Sequence, residues 1–81
     1  MKKTIHVTYY ALLRQERGLP EETIESEAKT ARELFNELKV RYSFKLSEHQ
    51  VKAAINSKVA SWDSPLNSGD RILLIPPVAG G

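Results

Sequence analysis

Thr30-Ala31-Arg32-Glu33-Leu34-Phe35-Asn36-Glu37-Leu38-Lys39-Val40-Arg41-Tyr42 is the stretch that decides the fold, because it reads as the one clear helix of the chain. Thr30 and Glu33 stand at the two positions of a capping box, a hydroxyl at the N-cap and a carboxylate three residues on. Ala31, Leu34, Phe35, Leu38 and Tyr42 recur at helical spacing and form a single apolar stripe. Arg32, Glu33, Asn36, Glu37, Lys39 and Arg41 cover the rest, and the two cations near the end suit the negative pole of the helix. A helix with one apolar stripe needs one layer to pack against. The residues on either side supply that layer as strands.

Upstream, Thr4 to Ala11 reads as a strand in which Ile5, Val7 and Tyr9 alternate with Thr4, His6 and Thr8. Leu12 to Arg17 reads as a short helical turn or loop ended by Gly18, and Leu19-Pro20 breaks the chain. Glu22 to Ser26 reads as a short exposed strand with Ile24 its single apolar centre, and the run Glu21 to Glu27 as a sheet edge protected by charge. Downstream, Ser43 to Gln50 is a loop with Phe44 and Leu46 embedded, Val51 to Asn56 a strand, Asn56-Ser57-Lys58 a turn and Val59 to Trp62 a short strand. Asp63 to Asp70 is turn-rich, with Gly69 expected at positive φ. Arg71 to Ile75 is a near-continuous apolar run, expected to be buried on both faces. A hairpin, a crossover helix and a return to one sheet make an α+β, β-grasp (ubiquitin-like) arrangement. It has a mixed sheet of four to five strands with one main helix packed across it. Residues 1–75 form the domain and residues 76–81 an extended C-terminal Gly-Gly tail.

Composition narrows the function. The chain has 81 residues, 41% apolar and 27% charged, an ordinary balance for one small globular domain. It has no cysteine, which excludes disulfides, thiolate zinc sites, iron–sulfur clusters and a catalytic thiol. Its four glycines, Gly18, Gly69, Gly80 and Gly81, cannot write a phosphate loop or a GxGxxG fingerprint. Twelve Lys and Arg stand against ten Asp and Glu, and the cations are dispersed. The six aromatics are not interleaved with them as in a nucleic-acid surface, so no nucleic-acid partner is expected. No apolar run approaches the ~18–20 residues of a membrane span, and Met1-Lys2-Lys3 has no apolar segment behind it. A cytoplasmic protein with no membrane partner is expected. His6 and His49 lack neighbouring ligand clusters, so no metal is expected. Asp63 and Asp70 sit beside turn residues and read as turn stabilisers rather than an acid–base pair. Trp62 is either core or interface.

Pro76-Pro77-Val78-Ala79-Gly80-Gly81 follows the last strand. The prolines remove two donors and end the ladder. They also favour an extended chain of about 3.1 Å per residue, so six residues reach roughly 18 Å. A stiff base, a tip without side chains and a bare carboxylate suit insertion into a narrow channel of another protein. The plain alternative is a frayed terminus.

The chain resembles the small subunit of molybdopterin synthase, a sulfur carrier with the ubiquitin-like fold. The resemblance covers nearly the whole length. It is strongest in Ala53-Ala54-Ile55-Asn56, Asp63-Ser64-Pro65-Leu66, Gly69-Asp70-Arg71-Ile72 and the ending Pro76-Pro77-Val78-Ala79-Gly80-Gly81. The family's first strand usually closes with Phe-Ala-x-x-Arg-Glu, where this chain has Tyr10-Ala11-Leu12-Leu13-Arg14-Gln15. The resemblance implies that an ATP-dependent adenylating enzyme activates the Gly81 carboxylate and that a sulfur donor converts it to a thiocarboxylate. Pro76, Pro77, Val78, Ala79 and Gly80 then insert the tip into the large synthase subunit, where sulfur passes to the pyranopterin precursor. It further implies that this chain binds no cofactor itself, since ATP is used by the activating partner. The resemblance also implies that the catalytic lysines belong to the large subunit and that the assembly is a heterotetramer. Tyr10, Val59 and Ile75 match family positions of an apolar patch that contacts both partners; ordinary core residues are the alternative. A ubiquitin-like protein modifier, a carrier for another pathway such as thiamine thiazole synthesis, and a plain binding module with an inert tail remain as other readings.

Overall fold

The computed structural model describes residues 2–77. Seven elements follow in order: β1 (Lys3–Tyr9), α1 (Ala11–Arg17), β2 (Glu21–Ser26), α2 (Ala31–Tyr42), β3 (Lys52–Ile55), β4 (Lys58–Ala60) and β5 (Arg71–Ile75). The five strands form one mixed sheet in the order β2-β1-β5-β3-β4. The central pair β1–β5 is parallel and the other neighbours are antiparallel. This is the β-grasp arrangement expected from the order of the elements.

The expected capping box forms in its Thr30 half, while the Glu33 carboxylate reaches one residue further back, to the amide preceding the N-cap. Thr30 Oγ1 accepts from the Glu33 amide at 3.2 Å, and Glu33 Oε1 accepts from the Lys29 amide at 3.0 Å. Ala31, Leu34, Phe35 and Leu38 of α2 are buried, in one core with Ile5, Val7, Tyr9, Ile72 and Leu74 of the central strands. At the far end of α2, Lys39 Nζ donates to the carbonyls of Phe44 and Leu46, which draws that loop back over the core. Phe44 thereby reaches Phe35 and Tyr9, with ring centroids 6.5 and 5.9 Å away.

Three expectations need correction. β1 stops at Tyr9, and Ala11 opens a helix rather than closing a strand. Tyr10 is extended, Ala11 turns left-handed at φ 49°, and the chain is thereby redirected into α1, where Leu13 is buried. Gly18, at φ 83°, ends α1 by donating its amide to the Arg14 carbonyl at 2.8 Å. Secondly, β5 is not buried on both faces. Ile72 and Leu74 point into the core, Leu73 is half-buried, and Arg71 and Ile75 are exposed. Among the described residues the helices cover one face of the sheet only.

Thirdly, β2 is more than a charged edge. Glu22 shares the inward side of β2 with Ile24 and Ser26. It accepts from the Tyr9 hydroxyl at 2.7 Å and from Arg17 Nε and Nη2 at 2.7 and 2.8 Å. The Arg17 guanidinium lies 4.0 Å from the Tyr42 ring centroid, so α1, β1, β2 and α2 meet at one ion pair. The Arg17 hydrogen bonds hold the Glu22 carboxyl below its ordinary range, while burial and the Glu22 contact push the Tyr9 phenol upward.

The turns behave as local sequence dictates. Asn56 and Ser57 both take positive φ, the requirement of a type I′ hairpin between β3 and β4. Asp70 accepts from Asn56 Nδ2 at 2.9 Å and from the Asn67 amide at 2.8 Å, a turn-stabilising role. Asp63, expected to stabilise its turn, pairs instead with Arg32, which also reaches Glu48 at 2.8 Å. Gly69, at φ 94°, donates its amide to the Thr4 carbonyl at 2.7 Å and sets the approach to β5.

Candidate functional site

The uncovered sheet face is the candidate site, because side chains alternate along each strand and register decides which ones meet there. Ala54 lies opposite Leu73 of β5 on one side and opposite Val59 of β4 on the other. Leu73, Ala54 and Val59 therefore form an apolar row across three strands. Ile75 stands two residues beyond Leu73 on the same face, opposite Lys52. Tyr10 follows Tyr9, the register partner of Leu74, and so lies at the same end of the sheet as Ile75. Tyr10, Val59 and Ile75 are all exposed, Val59 at 84%. The sequence reading singled out these three; the fold brings Val59 and Ile75 to one face and Tyr10 to the end of the sheet where Ile75 lies. The sequence reading did not single out Leu73, Ala54, Lys52 or Arg71. For Leu73 and Ala54 the signal is an apolar residue at alternate positions of a strand whose other side already fills the core.

Val59 and Ile75 also line a groove with Lys52, Trp62, Pro76 and Pro77. The Trp62 ring packs 5.1 Å from Phe35, and its Nε1 donates to the Glu48 carbonyl at 2.8 Å, so it is core on one side and groove wall on the other. Pro76 is buried and Pro77 exposed. The chain is thus seated in the body as far as Pro76. Val78, Ala79, Gly80 and Gly81 lie outside the described residues.

Charge on this face is divided. Arg71 and Lys52 flank the apolar row, whereas Glu21 and Glu25 of β2 lie opposite Thr8 and Thr4 at the far edge. His6, between them, shares a hydrogen bond with Thr23 Oγ1 at 2.9 Å. Among the described residues no three His, Asp or Glu side chains gather as metal ligands, and no helix is long and apolar enough to cross a membrane. The face has the chemistry of a binding surface, with the last strand leading out of it.

Residues 7–81 match the ThiS family. The chain belongs to that family. A curated relative, the molybdopterin synthase sulfur carrier subunit of Escherichia coli, is 39% identical over 41 residues. That match spans 51% of each protein, so the aligned chain covers about half the length of the curated relative. Among solved structures, molybdopterin converting factor subunit 1 of Pyrococcus furiosus superposes with a TM-score of 0.78 at 36% identity, covering 94% of this chain and 99% of that one. Subunit 1 of the Helicobacter pylori molybdopterin-converting factor, solved in complex with subunit 2, gives a TM-score of 0.64 at 26% identity, over 96% of this chain and 99% of that one.

Proposed function

We propose that this ThiS-family chain is the sulfur carrier subunit of a molybdopterin synthase. The observation that carries this reading is the near full-length likeness, at 36% identity, to a molybdopterin converting factor subunit 1. The Pro-Pro-Val-Ala-Gly-Gly ending supports it.

The chemistry follows from what a carboxylate lacks. It is a poor electrophile, so the Gly81 carboxylate first attacks the α-phosphate of ATP on an adenylating partner, releasing pyrophosphate and leaving an acyl-adenylate. A sulfur nucleophile then adds to the acyl carbon and AMP departs, which leaves a thiocarboxylate. The loaded tip enters the large synthase subunit and gives its sulfur to the pyranopterin precursor. This chain supplies position rather than acid–base chemistry: the open face docks, Pro76 and Pro77 aim the tail, and the slim Gly80-Gly81 tip fits a channel. ATP binds to the partner and not to this chain. The working complex is a cytoplasmic heterotetramer with two carriers on a large-subunit dimer.

The test is intact-mass analysis after incubation with the adenylating enzyme, ATP and a sulfur source. The expected result is the mass of one oxygen-to-sulfur exchange, mapped to Gly81. A product joined through Gly81 to a lysine amine assigns the chain to protein modification instead. An unchanged mass under conditions that load a family member overturns the reading.

A further inference from the structure

Trp62 is half-buried, and it is held at both ends. Its carbonyl accepts from the Arg32 amide at 2.9 Å, and its indole Nε1 donates to the Glu48 carbonyl at 2.8 Å. The Arg32 guanidinium closes the frame, since its Nε bonds the Glu48 carboxylate at 2.8 Å and it also pairs with Asp63, the residue after Trp62. The ring itself rests against Phe35 of α2. Strand register decides what stands beside it. Ala53 lies opposite Ala60 of β4 on one side and opposite Leu74 of β5 on the other. Trp62 comes two residues after Ala60 and Pro76 two residues after Leu74, so both leave the sheet at the same end. Pro76 continues the inward side of Ile72 and Leu74 and is buried, whereas Pro77 is exposed. Trp62, Val51, Pro76 and Pro77 line one groove there.

A proline has no amide hydrogen to give a ladder. The last register pair of β5 is Ile75 with Lys52, so from Pro76 onward side-chain packing orients the chain. We propose that Trp62 is a positioning residue: its pinned ring walls the groove in which Pro76 is seated, and so fixes the direction in which the tail leaves the body. The inference rests on the carrier reading above, in which the reacting Gly81 lies four residues beyond Pro77. Four extended residues span about 12 Å, and over that lever a tilt of about 5° at the base displaces the end by about 1 Å. A displacement of about 1 Å at a reacting centre is enough to cost about 100-fold in rate. This role differs from docking, because the open face meets the partner, whereas Pro76 sits on the core side of the sheet end.

Two measurements test the proposal. In the free chain, carbon-13 relaxation gives the order parameter of the Pro77 Cα. It is expected near the rigid-backbone level of about 0.85 in the wild type and in Trp62→Phe, which keeps a ring against Phe35, and below about 0.6 in Trp62→Ala. With thiocarboxylated carrier and saturating purified large subunit, Trp62→Ala slows single-turnover sulfur transfer about tenfold or more, while Kd for that subunit changes by less than about threefold. Trp62→Phe restores the rate. Leu46→Ala thins the core away from the groove. It lowers the melting temperature but leaves the order parameter and the transfer rate near wild type. Where Trp62→Ala does not fold, Trp62→Leu takes its place, since it keeps an apolar contact with Phe35. A Pro77 order parameter unchanged by the loss of the ring, a wild-type transfer rate in that variant, or equal slowing by Leu46→Ala overturns the proposal. A loss that appears in Kd and not in the saturated rate assigns Trp62 to docking and overturns it too. Failure of the carrier reading is seen separately, as no thiocarboxylate on the wild type. The relaxation measurement needs no partner, and it then decides by itself whether Trp62 holds the base of the tail.

Discussion

Gly69 isolates one physical effect. Its φ is 94°, and no atom lies within 4 Å of where a Cβ would sit, so a side chain there meets conformational strain and no clash. Gly69→Ala is expected to lower stability by about 1 kcal/mol, read as a reduced urea midpoint at unchanged m-value. Glu22 isolates another. Its folded pKa lies below the unfolded value of about 4.3, chiefly because Arg17 donates to the ionised form. The folded state therefore binds this proton less readily than the unfolded state. The stability it contributes is full above about pH 4.3 and is lost as pH falls through the lower folded value. Glu22→Gln should melt at a lower temperature than wild type at neutral pH, and the gap should narrow as the pH is lowered into the acid range. A gap that stays constant would show that Glu22 does not carry the effect. Gly69 was legible because a turn before an apolar strand demands positive φ locally. Glu22 was not, since a run of glutamates hides which one the register with Val7 turns inward. Ala11 was not either, because nothing in its neighbours announces a left-handed alanine.

β5 shows how an element misleads. Five residues with four apolar side chains read as a strand enclosed on both sides, yet only Ile72 and Leu74 meet the core. The apolar residues left over, Leu73 and Ile75, have no use within the fold and mark the face proposed to dock. Periodicity reports that a residue avoids water; it does not report whether its cover comes from the same chain. By contrast α2 was legible end to end, because its cap, stripe and terminal cations are all encoded within one short window. Val59 offers the cleanest probe of the face, being 84% exposed on a strand of three residues. Val59→Glu should change folding stability by no more than about 0.5 kcal/mol, as for other exposed positions. It should weaken large-subunit binding by about tenfold or more, since it places a charge in an apolar contact. Titration calorimetry beside thermal unfolding separates the two; unchanged affinity removes Val59 from the interface.

The proposed division of labour between body and tail is testable with purified large subunit. Deleting Gly81 moves the reacting carbon, while Gly80→Phe keeps the carboxylate and widens the tip. Neither residue belongs to the described core, so melting temperatures and large-subunit affinity should stay close to wild type. Sulfur transfer should fail in both, since a misplacement of about 1 Å at a reacting centre is enough to cost about 100-fold. The measurement is molybdopterin formation with purified large subunit; wild-type rates from either variant would show the Gly-Gly tip to be dispensable. The Gly80-Gly81 tip is read from the sequence alone. The face proposed to dock needed both readings: the family resemblance pointed to Val59 and Ile75, and the register of β3, β4 and β5 adds Leu73 and Ala54 beside them.

The position of β5 has a mechanical consequence. It is the middle strand of the sheet, held by β1 on one side and β3 on the other, with four register pairs along each. A pull on the chain beyond Ile75 runs along β5, whereas the bonds that hold it run across. The load is then shared in shear by two ladders at once, and no single bond can be peeled open before the next. Had the tail grown from β4 or β2, the same tug would have found a free edge. In the proposed carrier role, a partner that drew the tip into a tight channel, and released it afterwards, would pull against an anchorage that resists as one piece.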